Sequence, residues 1–281
     1  MISLHNFIVS ILAYSCIVFS QVTLSISDYY PFPSELSDLN VNPDVLEWGV
    51  AGSFLLLDQK ENQLVSIGSL NGFQTVGGFG LNSYSFTEPV WVGVEPNGIS
   101  VLDRLENKII LLDYRLNYMT AISLEPRIFP ELAVIDKYGL IYIYSSQYHS
   151  IFKFESKRLR KVPHIDLNRF SDIDYCINKL AINQDGDFGL LDCNNIVYLF
   201  SKNGAYKGSF SSEINKPIFL VPIREHWFVF NDKGDGESVF DKSVTLHIPA
   251  ISTPIVDIKN MNRSLAILSK DHISILNVKL K

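Results

Sequence analysis

Apolar residues in this chain gather into short unbroken runs and are not spread along a helical stripe. Phe54-Leu55-Leu56-Leu57, Ile99-Ser100-Val101-Leu102, Ile141-Tyr142-Ile143-Tyr144 and Phe188-Gly189-Leu190-Leu191 end in Asp58, Asp103, Ser145 and Asp192. Runs of this length, bounded by turn residues, predict strands covered on both faces. Each unit opens with another apolar segment, such as 90–94, 132–135, 180–182 or 219–221, followed by a turn such as Glu95-Pro96-Asn97-Gly98 or Asp136-Lys137-Tyr138-Gly139. Three or four residues further on, often including an Asn (Asn62, Asn107, Asn195), a third strand begins at 64–67, 109–112, 151–154 and 196–200. A more polar fourth segment follows, as at 118–124 and 206–210.

This order of elements is a repeat. Proline opens it at Pro43, Pro89, Pro130, Pro217 and Pro254, with Ile177 in the same slot of one further copy. Nine residues after each slot comes a turn position: Gly52, Gly98, Gly139, Gly186, His226 and Arg263. Successive slots lie 46, 41, 47, 40 and 37 residues apart, a spacing that fits a propeller blade and is too long for a leucine-rich repeat. Four short antiparallel strands repeated about an axis make a β-propeller. The reading is therefore all-β, a six-bladed β-propeller with blades near 37–80, 81–125, 126–167, 170–212, 213–249 and 250–281. The last copy stops one strand short, and the β-prone stretch 21–27 (QVTLSIS) lies outside the first. That N-terminal strand is expected to complete the last blade and cover its open edge. The repeated polar residues read as turn chemistry: Gly supplies positive φ, Asp and Asn bond nearby amides, and Pro suits a strand's first position.

Residues 7–19 (FIVSILAYSCIVF) carry no charge, and Val18 and Ser20 stand at −3 and −1 of a cut before Gln21. Thirteen apolar residues match a signal-peptide core and fall short of the ~20 that span a bilayer. A cleaved signal at residues 1–20 is expected, with an uncleaved anchor as the alternative, since MISLHN has no Lys or Arg. Tyr14 and the apolar residues after Cys16 argue against lipidation there. No later segment is long enough to cross a membrane, so residues 21–281 read as a soluble exported domain, periplasmic or secreted.

The second copy contains Gly77-Gly78-Phe79-Gly80, Phe86-Thr87-Glu88-Pro89, Val94-Glu95-Pro96-Asn97-Gly98-Ile99-Ser100-Val101-Leu102-Asp103 and Asn107-Lys108-Ile109. In this succession it resembles an NHL repeat. The first copy keeps Pro43, Gly52, Asp58 and Asn62, the fourth Gly186 and Asp192, and the fifth and sixth little beyond spacing. The resemblance implies a divergent six-bladed propeller of the NHL/TolB-like kind, a fold that includes binding scaffolds and some hydrolases and lyases. Calcium-dependent lactonases related to regucalcin, also six-bladed, hold their metal in an acidic and amide cluster at the channel mouth. The residues here that could play that part are Asp44, Glu88, Glu131 and Asn178, next to the proline slot, where oxygens would suit Ca²⁺. The alternative is that they are solvated loop residues, because half of the equivalent positions are apolar.

Composition narrows the function. Thirty Asp and Glu against 24 Lys and Arg give −6, which argues against a nucleic-acid binder. The six histidines show no HxH or HExxH pairing, and no GxSxG, P-loop or dinucleotide fingerprint occurs. Lys157-Arg158-Leu159-Arg160-Lys161 falls at the outer edge of the third copy, where charge discourages sheet-to-sheet pairing and could secondarily meet an anionic partner. Cys176 and Cys193 flank the fourth copy's first hairpin, so a disulfide and two buried free thiols both stand as readings. Most aromatics are expected between blades, whereas Tyr29, Tyr30 and Phe32 lie in a Pro-rich linker and read either as packing or as a contact patch. The expectation is an exported, non-enzymatic scaffold for a protein, peptide or glycan, monomeric or part of an envelope complex, with no obligatory cofactor. A Ca²⁺-assisted hydrolase or lyase at the channel mouth is the alternative.

Overall fold

The computed structural model describes residues 22–68, 72–78, 84–249 and 252–280. The expected signal segment at residues 1–20 lies outside them, as do Phe79 and Gly80 of the glycine-rich motif. The chain forms a six-bladed β-propeller. Blade 1 runs outward from the axis through Val45–Trp48, Phe54–Asp58, Gln63–Ile67 and Gln74–Gly77. Blade 2 comprises Pro89–Glu95, Gly98–Asp103, Lys108–Leu112 and Tyr118–Ser123, and blade 4 Ile177–Ile182, Phe188–Asp192, Ile196–Phe200 and Tyr206–Ser211. Blade 5 is Phe219–Ile223, His226–Phe230, Asp235–Ser238 and Thr245–His247. Blade 3 has Leu132–Ile135, Ile141–Ser145 and Ser150–Glu155, with its outer edge divided between Arg158–Leu159 and Ile165–Asp166. All pairings are antiparallel, and the innermost strands adjoin in sequence from blade 1 to blade 6 and back to blade 1.

The unbroken apolar runs follow from this ring. A strand points alternate side chains to opposite faces, and here both faces meet a neighbouring blade. Phe54 and Leu56 enter the core between blades 6 and 1, whereas Leu55 and Leu57 enter the core between blades 1 and 2. Ile141 and Ile143 face blade 2, while Tyr142 and Tyr144 face blade 4. Each large apolar side chain so buried contributes about 1.5–3 kcal/mol. Gly189 interrupts one run for a steric reason: a Cβ there would lie 2.6 Å from the indole of Trp227 and 2.9 Å from Leu220, which blade 5 packs against it.

Repeated polar residues staple each blade. Asp103 is fully buried, and its Oδ2 accepts the N–H groups of Thr87 (2.7 Å) and Glu88 (3.2 Å) while Oδ1 accepts that of Glu106 (3.0 Å). Asp58 likewise takes Asn42, Lys60 and Glu61, so the carboxylate ties the segment leading into the innermost strand to the second turn. In blade 3 the hydroxyl of Ser145 donates to Ile128 O, and in blade 6 that of Ser269 donates to Ser252 O. Asn107, at φ +52°, accepts from the Ile128 and Phe129 N–H groups and donates to Leu124 O, joining blade 2 to the approach of blade 3.

Blade 6 closes the ring. Asp257–Met261, Ser264–Leu268 and His272–Leu280 are joined by Val22–Pro31, paired from Val22↔Leu280 to Pro31↔His272. Val22 and Leu24 pack against the core shared with blade 5, and Thr23 and Ser25 face water. The closing strand is longer than the sequence suggests. A bulge between Ile26 and Asp28 keeps the pairing going, so Tyr29 and Tyr30 lie in the strand and not in a linker. Tyr29 sits 4.6 Å from the ring of His272, and Tyr30 meets Phe54 edge-on at 5.3 Å. Phe32 packs partly buried against the blade 6–blade 1 core.

Asp103→Ala would remove the acceptor of three partly buried amides and is expected to destabilise the fold by about 2–3 kcal/mol. Asp103→Asn, which retains one acceptor oxygen, should cost roughly half as much. Urea unfolding followed by tryptophan fluorescence checks both.

Candidate functional site

The ring has a leading rim, where the innermost strands begin, and a trailing rim, where they end. Asp44, Glu88, Glu131 and Asn178 all fall at the leading rim, yet each is engaged within its own blade. Asp44 Oδ2 accepts the Gln59 N–H at 3.2 Å. Burial raises its pKa; the Gln59 bond opposes that shift and Asp58 adds to it. Glu88 pairs with Arg104, whose guanidinium holds the carboxyl below its ordinary value and lies 5.8 Å from the centre of the Phe129 ring. Glu131 accepts from the hydroxyl of Ser146, and the Asn178 amide donates to Asp192 O at 3.4 Å. Among the described residues, no three His, Cys, Asp or Glu side chains gather to hold a metal ion. The four candidates thus share a rim, and each has a partner in its own blade.

A cavity at the axis opens instead toward the trailing rim. It has a volume of 380 Å³ and takes lining residues from all six innermost strands. Glu47, Asp136, Lys137, Lys179 and Lys259 line it, and buried Asp257 lies behind the wall. Lys179 of blade 4 reaches Asp257 of blade 6, Nζ to Oδ1 3.0 Å, although blade 5 separates the two in the chain order. Asp257 is 1% exposed, and its Oδ2 accepts the Leu46 N–H of blade 1 at 3.1 Å. Lys259 lies 3.4 Å from Glu47, and Trp48 Nε1 donates to Lys259 O at 3.3 Å. Gln184 repeats the blade 4 to blade 6 contact at the trailing end, donating to Asn262 Oδ1 at 3.4 Å. Two cations and two carboxylates are spent on one another, so the network acts as a strut between blades 1, 4 and 6. Its signal in the sequence is the charge at Glu47, Lys179, Asp257 and Lys259, inside innermost strands.

A second feature lies on the leading rim at blades 3 and 4. Tyr148 is 41% and Tyr175 65% exposed. Both are tied to Asn168, which donates to Tyr148 O at 2.8 Å and accepts from Tyr175 Oη at 3.4 Å. The Tyr175 ring stacks on His149 with centroids 4.2 Å apart, and Tyr144 Oη donates to Tyr175 O at 3.1 Å. Burial is the main cause pushing His149 below and the Tyr144 phenol well above their ordinary values, so both groups are neutral near pH 7. The next residue, Cys176, forms a disulfide with Cys193, Cα atoms 5.6 Å apart, at an exposed position on this rim. Exposed Arg169 stands beside Asn168. In the sequence this group is hidden among aromatics that pack between blades, and its one signal is position: Tyr148 lies in a second turn and Tyr175 in an approach loop.

Lys259 supplies a pH test. Burial disfavours its ammonium form, but Glu47 and Asp257 outweigh that penalty, and its pKa is raised above the ordinary 10.5. A folded value above the unfolded one gives stability that is full below pH 10.5 and is lost as pH rises through the folded value. Wild type is therefore expected to lose stability above about pH 10.5 more steeply than Lys259→Met, measured by urea midpoints against pH.

No protein-family model matches this chain, and no curated protein matches it in sequence. Its shape is similar to several solved structures. Virginiamycin B lyase from Staphylococcus aureus is 10% identical with a TM-score of 0.60, covering 92% of this chain and 99% of that one. BBS1N in complex with ARL6DN is 9% identical with a TM-score of 0.58, covering 92% and 98%. YCF48 bound to D1 peptide is 11% identical with a TM-score of 0.53, covering 81% and 75%. At these identities the likeness establishes the architecture alone: this chain is a six-bladed β-propeller.

Proposed function

We propose that this protein is an exported, non-catalytic propeller that binds a protein or peptide partner at the leading rim of blades 3 and 4, in the periplasm or cell envelope. The observation that carries the reading is exposed Tyr175, held from beneath, with exposed Tyr148 joined to it through Asn168. Tyr175 is fixed at its ring by His149, at its hydroxyl by Asn168, at its carbonyl by Tyr144, and through the chain by the Cys176–Cys193 disulfide. Tyrosine and arginine are enriched among the residues that dominate binding energy. A side chain already ordered gives up little entropy on association. BBS1N and YCF48, similar in fold, were solved with ARL6DN and a D1 peptide, uses of the kind proposed here. An acid–base or calcium role for Asp44, Glu88, Glu131 and Asn178 draws no support from their separate engagements.

The test is affinity capture from envelope extracts of the source cell with the purified full chain, against Tyr148→Ser/Tyr175→Ser. A partner retained in defined stoichiometry by the wild type and depleted at least tenfold by the double variant is the expected result, since two anchors of 1–2 kcal/mol each give a factor of this order. Equal capture by both proteins, with far-UV circular dichroism unchanged, would overturn the assignment.

A further inference from the structure

Blade 3 differs from the other five at its outer edge. Its third strand pairs through Phe154↔Leu159 and then through Ile151↔Ile165. Three steps along that strand thus face six along the outer chain, and three residues are extruded. Both feet of the loop are pinned: Arg160 N–H donates to Lys153 O and His164 N–H to Ile151 O, each at 2.8 Å. Pro163 has no N–H for the ladder, which suits it to this break. Between the feet, Lys161 and Val162 project, Val162 with 77% of its surface exposed.

Beside the loop is a groove of 720 Å³ lined by Lys153, Arg158, Arg160 and Lys161, with Glu155 as the only carboxylate and His164 at the back. Lys153 and Arg160 share that carboxylate. No carboxylate pairs with Arg158, Lys161 or the adjacent Lys157 among the described residues. Four cations against one anion leave the lining at +3, in a chain whose net charge is −6. Screening over about 8 Å at physiological salt lets this local excess act despite the acidic remainder.

Protection of a sheet edge does not account for the cluster. The outer strands Gln74–Gly77, Tyr118–Ser123, Thr245–His247 and Val22–Pro31 carry no Lys or Arg, and Tyr206–Ser211 carries only Lys207. Five blades manage their edges with one lysine among them. The arginines point to a ligand: a guanidinium fork matches phosphate oxygens two at a time, and the lysines add mobile point charges.

We propose that the blade 3 groove binds an anionic ligand bearing closely spaced phosphate groups. This site is separate from the Tyr148–Tyr175 surface and does not depend on it. The shared chemistry has two sources, a soluble phosphate chain or an array of phospholipid headgroups, and two probes separate them. The full chain is titrated with inorganic polyphosphate and, independently, sedimented with vesicles containing phosphatidylglycerol, alongside Arg158→Glu/Lys161→Glu. A control, Lys60→Glu/Lys216→Glu, changes as much charge at the leading rim.

Saturable binding to either probe, lost at least tenfold in the groove variant and kept in the control, is the expected result. Log affinity should fall against log salt with a slope of roughly −2 to −3, reflecting about three phosphate contacts. Binding to polyphosphate alone assigns a soluble chain, and binding to vesicles alone assigns headgroups. Either outcome supports the groove. Absence of binding to both probes at about 50 mM salt, or equal binding by the groove variant with its circular dichroism unchanged, overturns the proposal.

Discussion

Apolar contact between neighbouring blades holds this molecule together, and most other features are consequences of it. A four-stranded sheet has two faces, and a sheet alone would leave both in water. In the ring each face is covered by the next blade, so six blades produce six cores, each built from two adjacent sheets. Such an arrangement works only if the circle closes. The pairing of Val22–Pro31 with His272–Leu280 is therefore a condition for the whole, because it gives the last blade its fourth strand and ties the two ends of the described chain together.

Closure also fixes what polar groups are free to do. The buried carboxylates of Asp58, Asp103 and Asp192 accept backbone amides at the same turn of three blades and serve the geometry of the approach loops. Four of the charges at the channel are likewise absorbed: Lys259 pairs with Glu47, and Asp257 accepts from blade 1 and pairs with Lys179 of blade 4, so the channel is braced across its width. Paired, hydrogen-bonded charges are tolerated in such a place where a lone one is not. Surfaces available to a partner are then the rims and outer edges, and two of these depart from the repeat. Tyr148 and Tyr175 stand at the leading rim over a neutral, buried imidazole. Arg158, Arg160 and Lys161 stand at an outer edge whose ladder is interrupted.

The architecture was legible in the chain because blade geometry is written locally. Two-sided burial makes the second strands read as unbroken apolar runs, the turns demand Gly, Asn and Asp, and the spacing of the proline slots counts the blades. The missing fourth strand of the last copy and the β-prone stretch at 21–27 together announced the closure, although its end was misplaced. Tyr29 and Tyr30 extend the strand through a bulge, and a Pro-rich stretch gives no local sign of that pairing.

The candidate site was less legible, for a reason that lies in distance along the chain. Asp44, Glu88, Glu131 and Asn178 hold equivalent slots, and equivalence in a repeat predicts a shared rim but says nothing of whether side chains converge. Each was captured by a partner in its own blade. Lys179 and Asp257 are 78 residues apart, and nothing local to either marks their pairing. Tyr148 and Tyr175 are joined through Asn168, which bonds the backbone of one and the hydroxyl of the other. The sequence by itself determined the repeating unit, the number of blades and the closing strand, since these rest on periodicity and turn chemistry within some forty residues. Only the tertiary structure decided which charges cancel across the channel and which aromatics and cations remain exposed, because those outcomes depend on packing between blades remote in the chain.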